Sequence, residues 1–147
     1  MNPTFKITME NGGVMRFELQ FRTAQNTVAN FTKLANDGFY DGLTFHRVVP
    51  GVLIQGGDPD GNGTGGSGKN IKGEFASNGV KNPIAHKRGV ISMARAMNPD
   101  SASSQFFIMH EKAPHLDGQY AAFGKVLSGM EVVDAICQNV PVVDYNG

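Results

Sequence analysis

The 147-residue chain reads as a mainly β protein, an antiparallel sheet closed into a barrel and capped by two α-helices. Three observations predict it. Nineteen Gly and seven Pro are spread along the chain and cut it into short segments, as turns between strands do. Six or seven of those segments are short apolar runs, the clearest of them alternating at period two. Only two stretches carry a helical period instead.

Phe5, Ile7 and Met9 alternate with Lys6 and Thr8. Asn11-Gly12-Gly13 then reverses the chain, and Met15, Phe17 and Leu19 alternate with Arg16 and Glu18. This is a β-hairpin with one apolar face. Val28, Phe31, Leu34 and Ala35 fall at helical spacing, so a helix is predicted over Gln25–Asn36, ended by Asp37-Gly38. A second hairpin pairs Leu43–Val49 with Leu53–Gln55 across Pro50-Gly51. From Asp58 to Gly68 five of eleven residues are Gly, which makes a loop. Val90–Ala94, Gln105–Met109 and Tyr120–Val126 are three further strands. Ser128-Gly129-Met130-Glu131 has the form of a capping box, with Ser128 as N-cap, opening a helix with Val132, Val133 and Ile136 on one face.

Thirteen basic and thirteen acidic side chains cancel, which argues against a broad electrostatic footprint for nucleic acid or an anionic membrane. The lone Cys137 cannot form an internal disulfide, and beside Ile136 it reads as a small buried side chain. The N-terminus has no basic segment leading into an apolar run. No apolar stretch approaches the ~20 residues of a membrane span. One soluble, cytoplasmic domain over residues 1–147 is expected, with no metal or cofactor.

Several motifs imitate known sites without their context. Gly61, Gly63 and Gly66 match G-x-G-x-x-G, but no helix follows, as a dinucleotide site requires. Gly63 to Lys69 spells G-x-x-x-x-G-K, with Asn70 where a phosphate loop needs Ser or Thr. Asp58, Asp60 and Asn62 begin like a calcium loop whose twelfth position is Lys69, a cation in place of a bidentate carboxylate. Gly66-Ser67-Gly68 falls short of a nucleophile elbow. His46, His86, His110 and His115 lack metal-ligand spacing.

What remains is the run Phe45-His46-Arg47-Val48-Val49-Pro50-Gly51-Val52-Leu53-Ile54-Gln55-Gly56-Gly57-Asp58. With it come Ser92-Met93-Ala94-Arg95-Ala96, Ser104-Gln105-Phe106-Phe107-Ile108 and Leu116-Asp117-Gly118…Phe123-Gly124-Lys125-Val126. Together they resemble a cyclophilin-type peptidyl-prolyl cis-trans isomerase of bacterial kind, over nearly the whole chain. The resemblance implies an eight-stranded antiparallel barrel with a helix at each end, no cofactor, and proline-containing peptides and unfolded proteins as partners. It implies Arg47 as the catalytic arginine, Gln55 as the residue positioning it and the substrate carbonyl, and Phe107 and Leu116 as proline-pocket residues. Ala94, Arg95 and Gln105 fall where the family binds the substrate backbone and the residues before the proline. Val52 and Leu53 stand in the proline pocket where Phe and Met are usual. His115 stands where many members carry Trp, and Tyr120 where many carry His. Cyclosporin-type ligands are expected to bind weakly, because His115 lacks the indole's area and donor geometry.

The physics supports these roles. The X–Pro bond is held by an amide barrier of ~18–20 kcal/mol, which falls if a site binds the twisted amide better than either planar form. The prolyl nitrogen regains a lone pair in the twist, and a guanidinium can donate to it. Two registers remain open for the hairpin. A two-residue turn at Pro50-Gly51 pairs Arg47 with Ile54 and turns Gln55 away; a three-residue turn, Pro50-Gly51-Val52, pairs Arg47 with Gln55 on one face. The rival function is a proline-peptide binding or chaperone module with weak isomerase activity, for which the smaller Val52 is the best support. Family members usually continue into one more strand beyond Val140–Asn146. Were the chain to end at Gly147, a strand near the N-terminus would present an open edge, favouring association over a strict monomer.

Overall fold

The computed structural model describes residues 3–139. Seven strands, β1 (Thr4–Thr8), β2 (Val14–Leu19), β3 (Arg47–Val49), β4 (Leu53–Gly56), β5 (Val90–Met93), β6 (Phe106–Met109) and β7 (Ala122–Ser128), join two helices, α1 (Gln25–Asn36) and α2 (Met130–Asn139). The strands pair antiparallel in the order β1-β2-β7-β5-β6-β4-β3. Among the described residues the sheet is a curled half-barrel with β1 and β3 at its edges, where the sequence predicts closure. The further strand considered after Val140–Asn146 falls outside the described residues.

Three local expectations change. Leu43–His46 is not strand: that segment runs close over Gly56, where a side chain would meet the Thr44 carbonyl and the Phe45 ring, and it has no ladder partner. Ser128 does not cap α2. It ends β7, paired with Arg16, and Gly129 at φ 96° makes the turn into the helix. A β-carbon at Gly129 would collide with the Val14 carbonyl, so glycine is required there on two counts. Two short 3-10 turns, Ala76–Asn78 and Pro114–Leu116, were not predicted from the sequence.

Strand alternation divides the apolar side chains into two clusters. Ile54, Ile91, Phe106, Ile108 and Phe123 pack with Val28 and Phe31 of α1 and Val133 and Cys137 of α2. The alternate positions, Leu53, Val90, Phe107, Met109 and Ala122, form a second cluster on the other face. Phe31 is the hub of the first, with ring centroids 4.7 Å from Phe5, 5.0 Å from Tyr40, 5.4 Å from Phe106 and 5.2 Å from Phe123. Each such buried side chain contributes roughly 1.5–3 kcal/mol through burial. Cys137 is free and buried, and burial pushes its thiol up, with Asp134 adding to the shift and Arg88 opposing it.

Three polar anchors hold the segments between strands. Ala24 gives α1 no side-chain cap; the buried Glu74 supplies one from 47 residues away, its Oε1 accepting from Thr27 N at 2.6 Å and Thr27 Oγ1 at 2.7 Å. A carboxylate there also meets the positive end of the helix dipole. Asp58 organises the glycine loop. Its Oδ1 accepts from Asp60 N (2.8 Å) and its Oδ2 from Asn62 N (3.0 Å) and Gly63 N (2.5 Å). Burial pushes this carboxyl up, but the N–H groups of Asp60, Gly65, Gly63 and Asn62 outweigh it and hold it at about 2. The residue resembling a first calcium ligand is thus occupied by the turn itself.

The third anchor is His86, 1% exposed. Its Nδ1 lies 3.0 Å from Asp117 Oδ1 and its Nε2 2.9 Å from Ser92 Oγ, while its backbone N–H donates to the same Asp117 oxygen at 2.6 Å. Asp117 accepts from Nδ1–H, so Nε2 accepts from the Ser92 hydroxyl. Ser92 is fully buried, so this Ser-His-Asp set ties the Pro114–Leu116 turn to β5 and presents no nucleophile.

Removing the Glu74 cap with Glu74→Ala should cost about 1–3 kcal/mol, as stranded buried donors do, and Glu74→Gln less, since one acceptor survives. Urea midpoints of the two variants read the difference. His86 predicts an acid-side loss of stability. Burial pushes its imidazole down, Asp117 raises it through hydrogen bond and charge, and His115 lowers it, leaving it below the usual value. The folded chain resists a proton that the unfolded chain accepts from about pH 6.5 downward, so stability is full above that value and falls below it. Urea midpoints taken from about pH 7.5 to about pH 5.5 should decline in the native chain and less steeply in His86→Gln.

Candidate active site

The site is one transverse row across four strands. Arg47 of β3 pairs with Gln55 of β4, Gln55 with Phe107 of β6, and Phe107 with Ser92 of β5. Directly opposed residues of a sheet share a face, so the register alone brings Arg47, Gln55 and Phe107 together. The hairpin takes the three-residue turn: Arg47↔Gln55, Val48↔Ile54 and Val49↔Leu53 are the pairs, with Gly51 at φ 80° and Val52 N donating to Val49 O at 2.9 Å. His110 clamps that turn from the end of β6. Its N–H donates to Val52 O at 2.9 Å and its Nδ1 accepts from Gly51 N at 2.8 Å.

A chain of hydrogen bonds fixes the direction of Arg47 and Gln55 in that row. Gln105 Nε2 donates to the Gly65 carbonyl at 2.8 Å, Gln55 Nε2 donates to Gln105 Oε1 at 2.9 Å, and Arg47 Nη1 donates to Gln55 Oε1 at 3.2 Å. A carbonyl at one end can only accept and a guanidinium at the other can only donate, so both amides are oriented without ambiguity. Arg47 is half-buried, and its guanidinium makes no other hydrogen bond among the described residues.

Beside this row lies an apolar floor. Leu53 and Phe107 are buried in the second cluster, and Val52, Ala94, Leu116 and Tyr120 pack partly buried against it. Tyr120 meets Phe107 edge-on, centroids 5.7 Å apart at 85°, and His86 lies behind Phe107 at 6.0 Å, nearly parallel. His115 and Leu116 come from the Pro114–Leu116 turn; Leu116 reaches the floor and His115 is exposed. Adjacent to the floor is a polar cleft lined by Gln55, Thr64, Gly65, Ala94, Ser101 and Gln105. Arg95 also lines it, but its guanidinium is engaged with backbone carbonyls.

The structure therefore gathers Arg47, Val52, Leu53, Gln55, Ala94, Arg95, Gln105, Phe107, Leu116 and Tyr120 into one surface, with His115 at its edge. Sequence reasoning missed the Gly65 carbonyl, Phe75 beneath Arg95, and the His86–Asp117 pair behind Phe107. No local pattern marks them, since His86 and Asp117 are 31 residues apart. His46, next to Arg47, has both ring nitrogens enclosed without a hydrogen-bond partner among the described residues. Burial pushes its imidazole down, Asp58 raises it and Arg47 lowers it, for a net fall. Among the described residues no cluster of three His, Cys, Asp or Glu side chains could hold a metal ion, and no helix is long and apolar enough to cross a membrane.

The site thus sets a fixed cationic donor beside an apolar floor and next to a polar cleft with a row of amides. A sequence model of the family described as "Cyclophilin type peptidyl-prolyl cis-trans isomerase/CLD" matches residues 4–146. Peptidyl-prolyl cis-trans isomerase B of Bacillus subtilis is 55% identical over 123 residues, covering 84% of this chain and 82% of that protein. A peptidyl-prolyl cis-trans isomerase of Helicobacter pylori is 49% identical over 130 residues, covering 87% and 77%. A crystal structure of a cyclophilin-type isomerase from Cryptosporidium parvum superimposes with a TM-score of 0.88 at 32% identity, covering 99% of this chain and 90% of that one. The same protein, solved in the presence of the dipeptide Ala-Pro, gives 0.87 at 32% identity, covering 98% and 90%. From the register of its site to its sequence relatives, this chain belongs to the cyclophilin-type peptidyl-prolyl cis-trans isomerases.

Proposed function

We propose that this isomerase accelerates X–Pro rotation without covalent chemistry, by gripping the proline ring on the Val52, Leu53, Phe107 and Leu116 floor while Arg47 donates to the prolyl nitrogen of the twisted amide. The observation that carries this reading is the Arg47 Nη1–Gln55 Oε1 hydrogen bond, made on the face that also bears Phe107. In the planar amide the nitrogen lone pair is delocalised and accepts poorly. In the twist it is localised, so the donor's contribution arises mainly in the transition state. The apolar floor excludes water and strengthens that bond. Ala94 and Gln105, at the polar cleft, take the backbone before the proline; a relative solved with Ala-Pro supports proline peptides as the ligand class. A free, buried thiol fits a reducing, cytoplasmic setting, and unfolded chains are the clients proposed.

Arg47→Ala tests the reading. Removing a preorganised donor costs ~10²–10³ in rate, so kcat/KM should fall at least ~10²-fold while peptide Kd changes only a few-fold. Arg47→Lys should recover little, because an ammonium lacks the planar fork. Val52→Phe should tighten Kd through added ring contact, with a smaller effect on turnover. Exchange spectroscopy on one Ala-Pro peptide reads all three. Near-native exchange in Arg47→Ala would make Arg47 only a surface residue and overturn this mechanism. Separately, His115→Trp should strengthen inhibition by a cyclosporin-type ligand, since the indole adds apolar area and a donor; an unchanged inhibition constant would count against that position.

A further inference from the structure

The proline floor and the polar cleft meet at Ala94, and the side chain of its neighbour Arg95 reaches from Tyr120 of the floor to the carbonyl of Ala96, which lines the cleft. Arg95 follows β5 and is half-buried. Its Cζ lies 4.9 Å from the centroid of Phe75, a main-core ring that is 1% exposed, and 4.9 Å from that of Tyr120, the edge-on partner of Phe107. Nε and Nη2 donate to the Gln119 carbonyl at 3.0 and 2.8 Å, and Nη1 donates to the carbonyls of Ala96 and Met97 at 2.9 and 3.2 Å. Those are four hydrogen bonds from a group with five donors. Ala96 and Ser101 line the cleft, and Ala96 N donates to Ser101 Oγ at 2.8 Å.

From this geometry we infer that Arg95 is a positioning residue that locks the Tyr120 wall of the proline floor to the Ala96–Ser101 rim of the polar cleft, so that it governs peptide binding through shape and not through its charge. The inference rests on the isomerase reading of the site and deepens it. Phe75 is the fixed point, because it is packed in the main core. The guanidinium lies over that ring and over Tyr120, and its fork holds the Gln119 carbonyl, which directly precedes Tyr120. Its other nitrogen holds the Ala96 and Met97 carbonyls, at the start of a segment whose Met97 side chain is 95% exposed and lends no packing. Only a planar, delocalised cation can lie over aromatic faces and fork onto carbonyls at once; a lysine ammonium offers a point charge on a flexible stem. With its donors engaged on backbone, the guanidinium has little left for an acidic residue of the peptide.

The experiment compares the native chain with Arg95→Lys and Arg95→Ala on three peptides carrying Ala-Pro, Glu-Pro or Lys-Pro, by exchange spectroscopy. Both variants should raise KM about ten-fold on all three peptides, with kcat within about two-fold of the native value and the Glu-Pro to Lys-Pro ratio unchanged. Arg95→Lys keeps the aliphatic stem that covers Phe75, so it carries the test should Arg95→Ala unfold. Native KM in Arg95→Lys overturns the inference, because charge and stem then suffice. A Glu-Pro to Lys-Pro ratio that shifts in Arg95→Ala but is kept by Arg95→Lys also overturns it, in favour of direct charge recognition. Absence of exchange in the native chain itself would instead sink the isomerase reading, so the two failures are distinguishable.

Discussion

The antiparallel register of β3, β4, β6 and β5 is the constraint on which the site depends. Arg47, Gln55, Phe107 and Ser92 stand in one cross-strand row, and the side-chain period of a strand is two. A slip of one residue in the β3–β4 hairpin would send Arg47 to one face and Gln55 to the other. The hairpin is short, and β3 has three residues with β4 as its only strand partner among the described residues. Its register is therefore fixed from outside as well as by its turn. Val48 and Ile54 are drawn into the main core, and His110 grips both Gly51 and Val52.

On that row sits a polar circuit whose direction is set by its ends. The Gly65 carbonyl orients Gln105, Gln105 orients Gln55, and Gln55 orients Arg47. The glycine loop thereby acquires a function that its motif resemblances conceal. Asp58 gathers the N–H groups of the loop, and the loop in turn offers the Gly65 carbonyl to the site. In the proposed mechanism, a donor held in place before a peptide arrives needs little reorganisation as the amide twists, the condition under which a fixed dipole or charge accelerates a reaction most.

The same sheet that carries the core on one face carries the site on the other, and adjacent residues serve opposite ends. Phe106 packs against Phe31 in the main core while Phe107 lies in the second cluster, opposite Gln55. The backbone of β6 thus joins the main core to the second cluster. Behind Phe107 the second coupling is polar: His86 and Asp117 bind the turn that carries Leu116 to β5, so the far wall of the site is held by a buried neutral imidazole.

Strand and helix placement was legible in the sequence because alternation at Phe5–Met9 and Met15–Leu19, helical spacing at Val28–Phe31–Leu34, and Gly or Pro between segments are local signals. Family resemblance marked Arg47, Gln55 and Phe107 by their neighbours in the chain. The sequence left two hairpin registers open, since both are consistent with one apolar pattern near Pro50-Gly51, and core packing of Val48 and Ile54 together with the His110 grip on the turn selects one. It also mistook Ser128 for a cap, because a capping box and a strand end followed by glycine look alike until β7 is seen paired with β2. Glu74 on α1, His86 with Asp117, and Arg95 over Phe75 and Tyr120 are contacts between residues far apart in the chain. Local propensity and spacing determine which segments become strands or helices. Which side chains meet across them is decided by tertiary packing, because a contact over tens of residues leaves no period or spacing in the chain to read.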